Sequence, residues 1–397
     1  MKPQAPDDPV APEGIIPKLG DIAASAGIRR ISVLAWRDLD DPEAGGSEVH
    51  ASTIASLWGE AGIEVTMRTS HSAGHPQVVW RDGYRVIRKA GRYMVFPRAV
   101  FSELMRWHGE RDGLVEIWNG MPWFSPVWCR GARCVWLHHV HDTMWEMTLP
   151  PRLARLGRLL EFRLAPPIYR RTEIVTLSES SRLELIEKLH LRRKRLHVVP
   201  VGIDPIYSPG GTRSPDPLVV AVGRLVPVKR YDVLIDALVA AKPQVPGLRA
   251  VLVGDGYEHE ALHAQIRQAR AEDWITLAGR VSEAVKIDLY RQAWVVASAS
   301  AHEGWGMTLT EAAACATPSV ATRIAGHEDA VAHGVSGLLA DDDAGLTPAL
   351  VAVLRDDRLR ERLARGAVAH ATRFTWGATA CGTLEVLAAD ARRRRRS

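Results

Sequence analysis

Short apolar runs of strand character recur along this chain with helical stretches between them, and they come in two series. The first occupies residues 31–36, 64–68, 84–87, 115–118, 134–137 and 174–177. The second occupies residues 218–222, 250–253, 275–277, 294–299 and 319–321. Apolar runs of this length alternating with longer helical patterns predict βαβ units and parallel sheets. Between the series lies a stretch at 200–217 without periodicity that holds Pro205, Pro209, Gly210, Gly211, Pro215 and Pro217. It reads as a linker. The expected organisation is therefore an N-terminal extension at 1–28, partly flexible, and a Rossmann-like domain at 29–203. A linker at 204–217, a second Rossmann-like domain at 218–373, a last helix at 374–391 and a basic tail at 392–397 complete it.

Composition excludes several classes. No run of residues is apolar enough and long enough to span a membrane, and the acidic, proline-containing start lacks the pattern of a signal peptide. A cytoplasmic location is expected, with peripheral contact at the inner face of the plasma membrane as the other option. The formal charge is +5, and Arg392 to Arg396 supply that many positive charges by themselves. The rest of the chain is near neutral, so a nucleic-acid partner is not expected and the tail reads as a solvated end. Cys129, Cys134, Cys315 and Cys381 have neither zinc-ligand nor disulfide-framework spacing and read as reduced and mostly buried.

Parallel sheets bind ligands beyond the carboxyl ends of their strands, so the motifs at those ends carry the chemistry. After 31–36 comes Gly45-Gly46-Ser47-Glu48, paired glycines before a helix, which allow a close backbone approach to a diphosphate. After 218–222 comes Gly223-Arg224 with Lys229 five residues on, a fork and a point charge suited to the same group. Gly254-Asp255-Gly256 and Gly279-Arg280-Val281 follow the next two runs. After 294–299, Glu303 and Glu311 stand on either side of Gly304-Trp305-Gly306-Met307-Thr308, where a glycine turn opens a helix. The N–H groups at such a helix start suit a phosphate, and the two carboxylates can hold different hydroxyl-bearing parts of one ligand.

The order of these motifs resembles that of the retaining glycosyltransferases of family four, which have the GT-B fold: two Rossmann-like parallel-sheet domains facing a central cleft. The resemblance covers nearly the whole chain, with Pro200-Val201-Gly202-Ile203-Asp204 similar to the family's linker motif and Phe374-Thr375-Trp376 to the motif that opens its last helix, which crosses back to the N-terminal domain. It implies transfer of a sugar from a UDP- or GDP-sugar donor to a hydroxyl acceptor with retention, by a same-face mechanism that needs no metal and no other cofactor. Arg224 and Lys229 would bind the diphosphate and neutralise the leaving group. Glu303 would contact the transferred sugar, and Glu311 the ribose. Gly45, Gly46, Gly223, Gly254 and the 304–308 turn would line the donor, with the base near Arg280 and Val281. Ala316 stands where the family has glycine.

His141, in the run His138-His139-Val140-His141-Asp142, resembles the family histidine close to the reacting sugar, with His139 as the runner-up. Zinc binding by this cluster lacks an accompanying ligand set. Asp40-Asp41 and Asp341 to Asp343 read as loop acids. The acceptor, a sugar, a lipid-linked molecule or another small molecule, is assigned to the N-terminal domain, with Ser47, His139 and Trp145 as its contacts. Nine of the thirteen tryptophans lie before residue 150 and most of them read as core. Arg152, Arg155, Arg158 and Arg163 alternate with Leu153, Leu156, Leu159 and Leu160, which reads either as a basic membrane-facing helix or as a solvated face over a core stripe. A non-catalytic binder of nucleotide sugars or glycans on the same fold is the alternative function, and the intact leaving-group cations argue against it. A pyridoxal-phosphate phosphorylase is a poor fit, because Lys286 reads as a surface-helix residue. Sequence alone leaves the oligomeric state open.

Overall fold

The computed structural model describes residues 14–142 and 144–396. Residues 1–13, half of the expected N-terminal extension, lie outside them. The chain divides into two units, residues 1–202 with 374–397, and residues 203–373.

The first unit carries eight strands: β1 (Arg30–Leu34), β2 (Glu64–Ser70), β3 (Val78–Arg81), β4 (Tyr84–Ala90), β5 (Gly113–Ile117), β6 (Ala132–Trp136), β7 (Glu173–Thr176) and β8 (Leu196–Val198). They lie in the order β3-β4-β2-β1-β5-β6-β7-β8, and only β3 is antiparallel, joined to β4 by a hairpin. Asp82 and Gly83 both have positive φ in that turn, as a two-residue hairpin requires. The second unit carries β9 (Leu218–Val222), β10 (Arg249–Val253), β11 (Ile275–Gly279), β12 (Val295–Ser298), β13 (Ser319–Thr322) and β14 (Gly337–Ala340), all parallel, in the order β11-β10-β9-β12-β13-β14. Continuous apolar runs such as Leu218-Val219-Val220-Ala221 fit strands covered on both faces.

The last helix, Trp376–Arg395, packs Ala380, Leu384, Leu387 and Ala388 into the core of the first unit, and the Trp58 indole donates to the Ala380 carbonyl at 3.1 Å. It does not stop before the arginines. Asp390, 1% exposed, accepts from the Arg133 amide at 2.9 Å and pairs with Arg393 and Arg394, while Arg393 also pairs with Glu173. The basic run is thus the final turn of a helix, where cations complement the carbonyl end of the helix dipole. Two more expectations change. Residues 15–25 form a helix, Ile15–Ser25, because Leu19 and Ala23 recur at helical spacing and bury against the first unit. The stretch read as a linker is fastened to the second unit: the Tyr207 hydroxyl bonds to Glu283, the Ser214 amide to the Gln292 carbonyl at 2.9 Å, and Arg213 to Thr317 at 2.8 Å. All four cysteines are free and buried.

The helix Pro151–Leu159 turns its small residues inward. Ala154 and Gly157 are buried, while Leu153, Leu156 and Leu159 are about half exposed. Trp145 decides this orientation, since a Cβ at Gly157 would come within 2.6 Å of its ring. The leucines therefore do not form a core stripe.

Helix Met307–Ala314 ends at Cys315, and Ala316 follows with φ of +62°. Glycine adopts that left-handed conformation without the Cβ penalty. Ala316→Gly is expected to raise the stability of the second unit by about 0.5–1 kcal/mol, measured as a higher urea midpoint at unchanged slope.

Candidate functional site

The second unit gathers its polar residues at the carboxyl edge of the sheet. The chain leaves β9 toward β10 and later returns on the other side of β9 as β12, so the loops after these neighbouring strands diverge there. Such a switch point is where open parallel sheets bind ligands. The loop after β9 carries Gly223, Arg224 and a single 3₁₀ turn, Pro227–Lys229. The loop after β12 carries Glu303. The Ala301 amide bonds to the Val228 carbonyl at 2.8 Å, which ties the two loops together.

Lys229 and Glu303 form an ion pair across this point, and the Ser300 hydroxyl donates to the same carboxylate oxygen at 2.9 Å. Burial alone would raise the Glu303 carboxyl. Lys229 and His327 outweigh it and, with the hydrogen bonds, hold it below the ordinary glutamate range, so Glu303 is ionised. His327 is fully buried, its Nδ1 donates to the Thr322 carbonyl at 2.9 Å, and its Nε2 has no partner among the described residues. Burial lowers its pKa below that of free histidine, against the attraction of the Glu303 carboxylate. Arg224 is exposed and makes no ion pair with any described residue.

Glu311 lies one helix turn and more beyond the turn, on Met307–Ala314, a helix whose N-terminus has no side-chain cap. Its Oε2 accepts from the Tyr290 hydroxyl at 2.9 Å and faces Lys286 at 3.4 Å. Burial raises its carboxyl above the ordinary range despite Lys286. Lys286 is not the surface lysine expected: its side chain is 18% exposed, and it bridges Glu283 and Glu311 beneath Tyr207. His327, Tyr290 and Lys286 were not read as site residues from sequence.

The glycines divide into two roles. At Gly254 a Cβ would fall 1.8 Å from the Gly223 carbonyl oxygen, and at Gly256 it would fall 2.2 Å from that of Leu225. Their missing side chains make room for the loop that carries Arg224, so both glycines position that neighbour. Gly326, with φ of +87°, likewise admits the backbone of Glu303 to Trp305, where a Cβ would meet the Glu303 carbonyl at 2.6 Å. Gly304, Trp305 and Gly306 are buried, while Met307 and Thr308 are half-buried at the helix start. Arg280 is exposed, 3.6 Å from Asp255, and Val281 beside it is half-buried, at the edge strand β11.

In the first unit, β1, β5 and β6 are neighbours, and the loops after them carry Gly45–Gly46, Gly120 and the histidine run. Gly45 caps the helix Gly46–Glu60, and its amide donates to Glu48 at 2.8 Å; Ser47 is half-buried beside it. Glu48 is held from its other oxygen by the buried Arg37 at 3.3 Å. The histidines separate. His138 turns into the core, edge-on to His50 at 4.9 Å, and burial keeps both neutral, His50 down to about 3. His139 and His141 stack at 5.0 Å on the half-buried side. Asp142 is held ionised by Lys188 at 2.9 Å and Arg158 at 3.1 Å, which outweigh its burial. Asp40, read as a loop acid, pairs with Arg81 and Arg88.

Trp145, expected as an acceptor contact, is only 8% exposed. Its indole donates to Glu161 at 2.8 Å, and the other oxygen of Glu161 accepts the His141 amide at 2.9 Å. Gly120 completes the support, since a Cβ there would stand 2.9 Å from the His141 ring. Glu161 sits in a π-helical turn, Leu160–Leu164, and is fully buried. Its burial pushes the carboxyl up to about 7 against the bonds from His141 and Trp145.

That shift has a sign. Below about pH 4.5 the carboxyl is protonated folded and unfolded. As pH rises, the unfolded chain releases the proton first, so stability is lost progressively until about pH 7. Between these values Glu161→Gln is expected to flatten the fall of melting temperature relative to the parent protein; parallel pH profiles would contradict it.

Comparison with known proteins places these loops in a family frame. The model for Glycosyltransferase Family 4 matches residues 44–206 and that for Glycosyl transferases group 1 matches residues 206–369. The protein named D-inositol 3-phosphate glycosyltransferase of Kribbella flavida is 34% identical over 418 residues, covering 91% of this chain and 96% of its own length. Among solved structures, sucrose-phosphate synthase from Thermosynechococcus elongatus superposes with a TM-score of 0.75 at 20% identity, over 89% of this chain and 96% of that one. Anabaena HepE in complex with UDP-glucose superposes at 0.69 and 20% identity, over 89% and 98%.

Proposed function

The chain belongs to glycosyltransferase family 4 and has the GT-B fold, and we propose that it transfers a sugar with retention from a nucleoside-diphosphate donor to a hydroxyl acceptor. The observation that carries this reading is the Lys229–Glu303 pair at the switch point, with Arg224 exposed and without a carboxylate beside it. A diphosphate placed there meets two cations and the open end of helix Met307–Ala314.

In the proposed reaction the bond between the anomeric carbon and the departing phosphate oxygen breaks as the acceptor oxygen bonds to that carbon on the same face. The acceptor proton passes to the departing phosphate. Arg224 and Lys229 stabilise the charge that develops on that phosphate, and Glu303, ionised, orients hydroxyls of the sugar. Glu311, already bonded to Tyr290 and Lys286, is held ready for the ribose. The scheme calls on no metal. The first unit is assigned the acceptor, with His141 and His139 on the loop that Glu161 supports. The relative's name puts D-inositol 3-phosphate first among acceptors to try.

A screen of purified UDP- and GDP-sugars by thermal shift identifies the donor, because a ligand of the folded state raises its melting temperature. With that donor, Lys229→Ala and Glu303→Gln are each expected to lower kcat by about 10² or more. Turnover near that of the parent in both variants would remove these residues from the mechanism.

The outward leucines favour peripheral contact with an anionic bilayer, since Arg152, Arg155 and Arg163 flank Leu153, Leu156 and Leu164 on an exposed helical surface. Co-sedimentation with vesicles containing phosphatidylglycerol is expected, and Leu153→Ser with Leu156→Ser should abolish it. Vesicle binding untouched by the double substitution would contradict this contact.

A further inference from the structure

The first unit holds a cavity of about 420 Å³ lined by Arg133, Arg170, Arg171, Arg192 and Thr172, with Pro126, Pro167 and Ile168 as its apolar wall. It lies at the amino ends of β6, β7 and β8, since Arg133 is the second residue of β6, Thr172 precedes β7 and Arg192 precedes β8. The loops with Gly45, Gly120 and His141 occupy the opposite edge of the same sheet.

Its charge is unmatched. No carboxylate lines it, and none of its four arginines forms an ion pair with a described residue. Neighbouring acids are committed elsewhere: Glu173 to Arg195, His197 and Arg393, Asp390 to Arg393, Arg394 and the Arg133 amide, and Glu116 to the Tyr169 hydroxyl and the Trp123 and Ser125 amides. Two buried donors in the lining also lack partners. Thr172 is 2% exposed with an unbonded Oγ1, and Arg133 is 9% exposed with an unbonded Nε, although its Nη1 donates to the Cys129 carbonyl at 2.7 Å. Buried polar atoms are rarely left unsatisfied, and guanidinium groups gathered without a counter-ion repel. An anion with several acceptor oxygens removes both costs.

We propose that this cavity is a second anion site, which takes a phosphate-bearing ligand of two or more negative charges. The volume admits more than a single phosphate, and the apolar wall accommodates a carbon skeleton attached to it. A free diphosphate or phosphate ester and an anionic lipid headgroup share this chemistry.

Inorganic pyrophosphate titrated calorimetrically into the full chain tests it. Because the loop with Arg224 and Lys229 is also suited to a diphosphate, the titration is made in the Arg224→Ala, Lys229→Ala variant. Binding is expected to persist there and to weaken about tenfold or more when Arg171→Ser and Arg192→Ser are added, both at exposed positions that leave the core intact. Thr172→Val should weaken it severalfold. A parallel arm uses phosphatidylcholine vesicles with and without phosphatidic acid. Dependence on Arg171 and Arg192 only in the vesicle arm makes the ligand a lipid headgroup, whereas dependence in the pyrophosphate arm makes it soluble. Absence of such dependence in both arms overturns the site. So does pyrophosphate binding that falls equally with Arg152→Ser and Arg155→Ser, outside the cavity, because that marks diffuse charge only. The result is independent of the transfer reaction, since the starting variant has already lost the proposed leaving-group clamp.

Discussion

The pairing of β9 with β12 is the constraint from which the candidate donor site follows. The loops it depends on include those after β9 and β12, strands that are neighbours only because the chain reverses its direction of travel across the sheet there. The Ala301–Val228 bond fixes two of them at backbone level, and the Lys229–Glu303 pair fixes them at side-chain level. An ion pair this shielded depends on both members, since removing one strands the other in a poorly solvated place. The same pair leaves each charge available to a ligand that brings an anion for one and hydroxyls for the other. The fold and the proposed chemistry thus use the same two residues.

Both units hold their loops by arrangements that leave little room for substitution. In the second unit the device is close backbone packing, with Gly254, Gly256 and Gly326 each giving space to a neighbouring loop. In the first it is the buried carboxylate. Glu161 accepts the His141 amide and the Trp145 indole, and Glu116 accepts the Trp123 and Ser125 amides at 2.8 and 3.2 Å together with the Tyr169 hydroxyl. Irregular loops expose backbone N–H groups that need acceptors, and a buried carboxylate supplies two oxygens to groups far apart in sequence.

The alternation of apolar runs made most of both sheets legible, because a parallel strand buried on two faces has an apolar sequence of its own. β3, β8 and β14 leave no such signal, because they are three or four residues long and stand at sheet edges, where pairing partners decide. The Glu303–Glu311 segment and the Lys229 loop stand out in the sequence as candidate chemistry, whereas the residues that support them do not. Tyr290, Lys286 and His327 reach the site through tertiary packing, and nothing in their local sequence announces it. Glu161 had a signal. Ala154, Gly157, Glu161 and Ala165 recur at helical spacing, a stripe of small residues with one acid in it. The leucines make the more apolar stripe, and the need to seat Trp145 reverses the face that packs.

Charge matching then separates structural arginines from those with another task. Arg37, Arg81, Arg88, Arg111 and Arg393 all have carboxylates beside them, and their charge is spent on the fold. Even the arginine-rich end of the chain is largely absorbed this way, through Asp390 and Glu173. Arg224 is exposed and has no such partner among the described residues. The four arginines of the cavity at the amino edge of the first sheet have none either, and they are gathered around unbonded buried donors. A lone exposed arginine is stabilised well enough by water. A group of them in a concave place around unbonded buried donors is stabilised further by an anion, which gives the two edges of this chain's sheets a shared electrostatic logic despite their different positions.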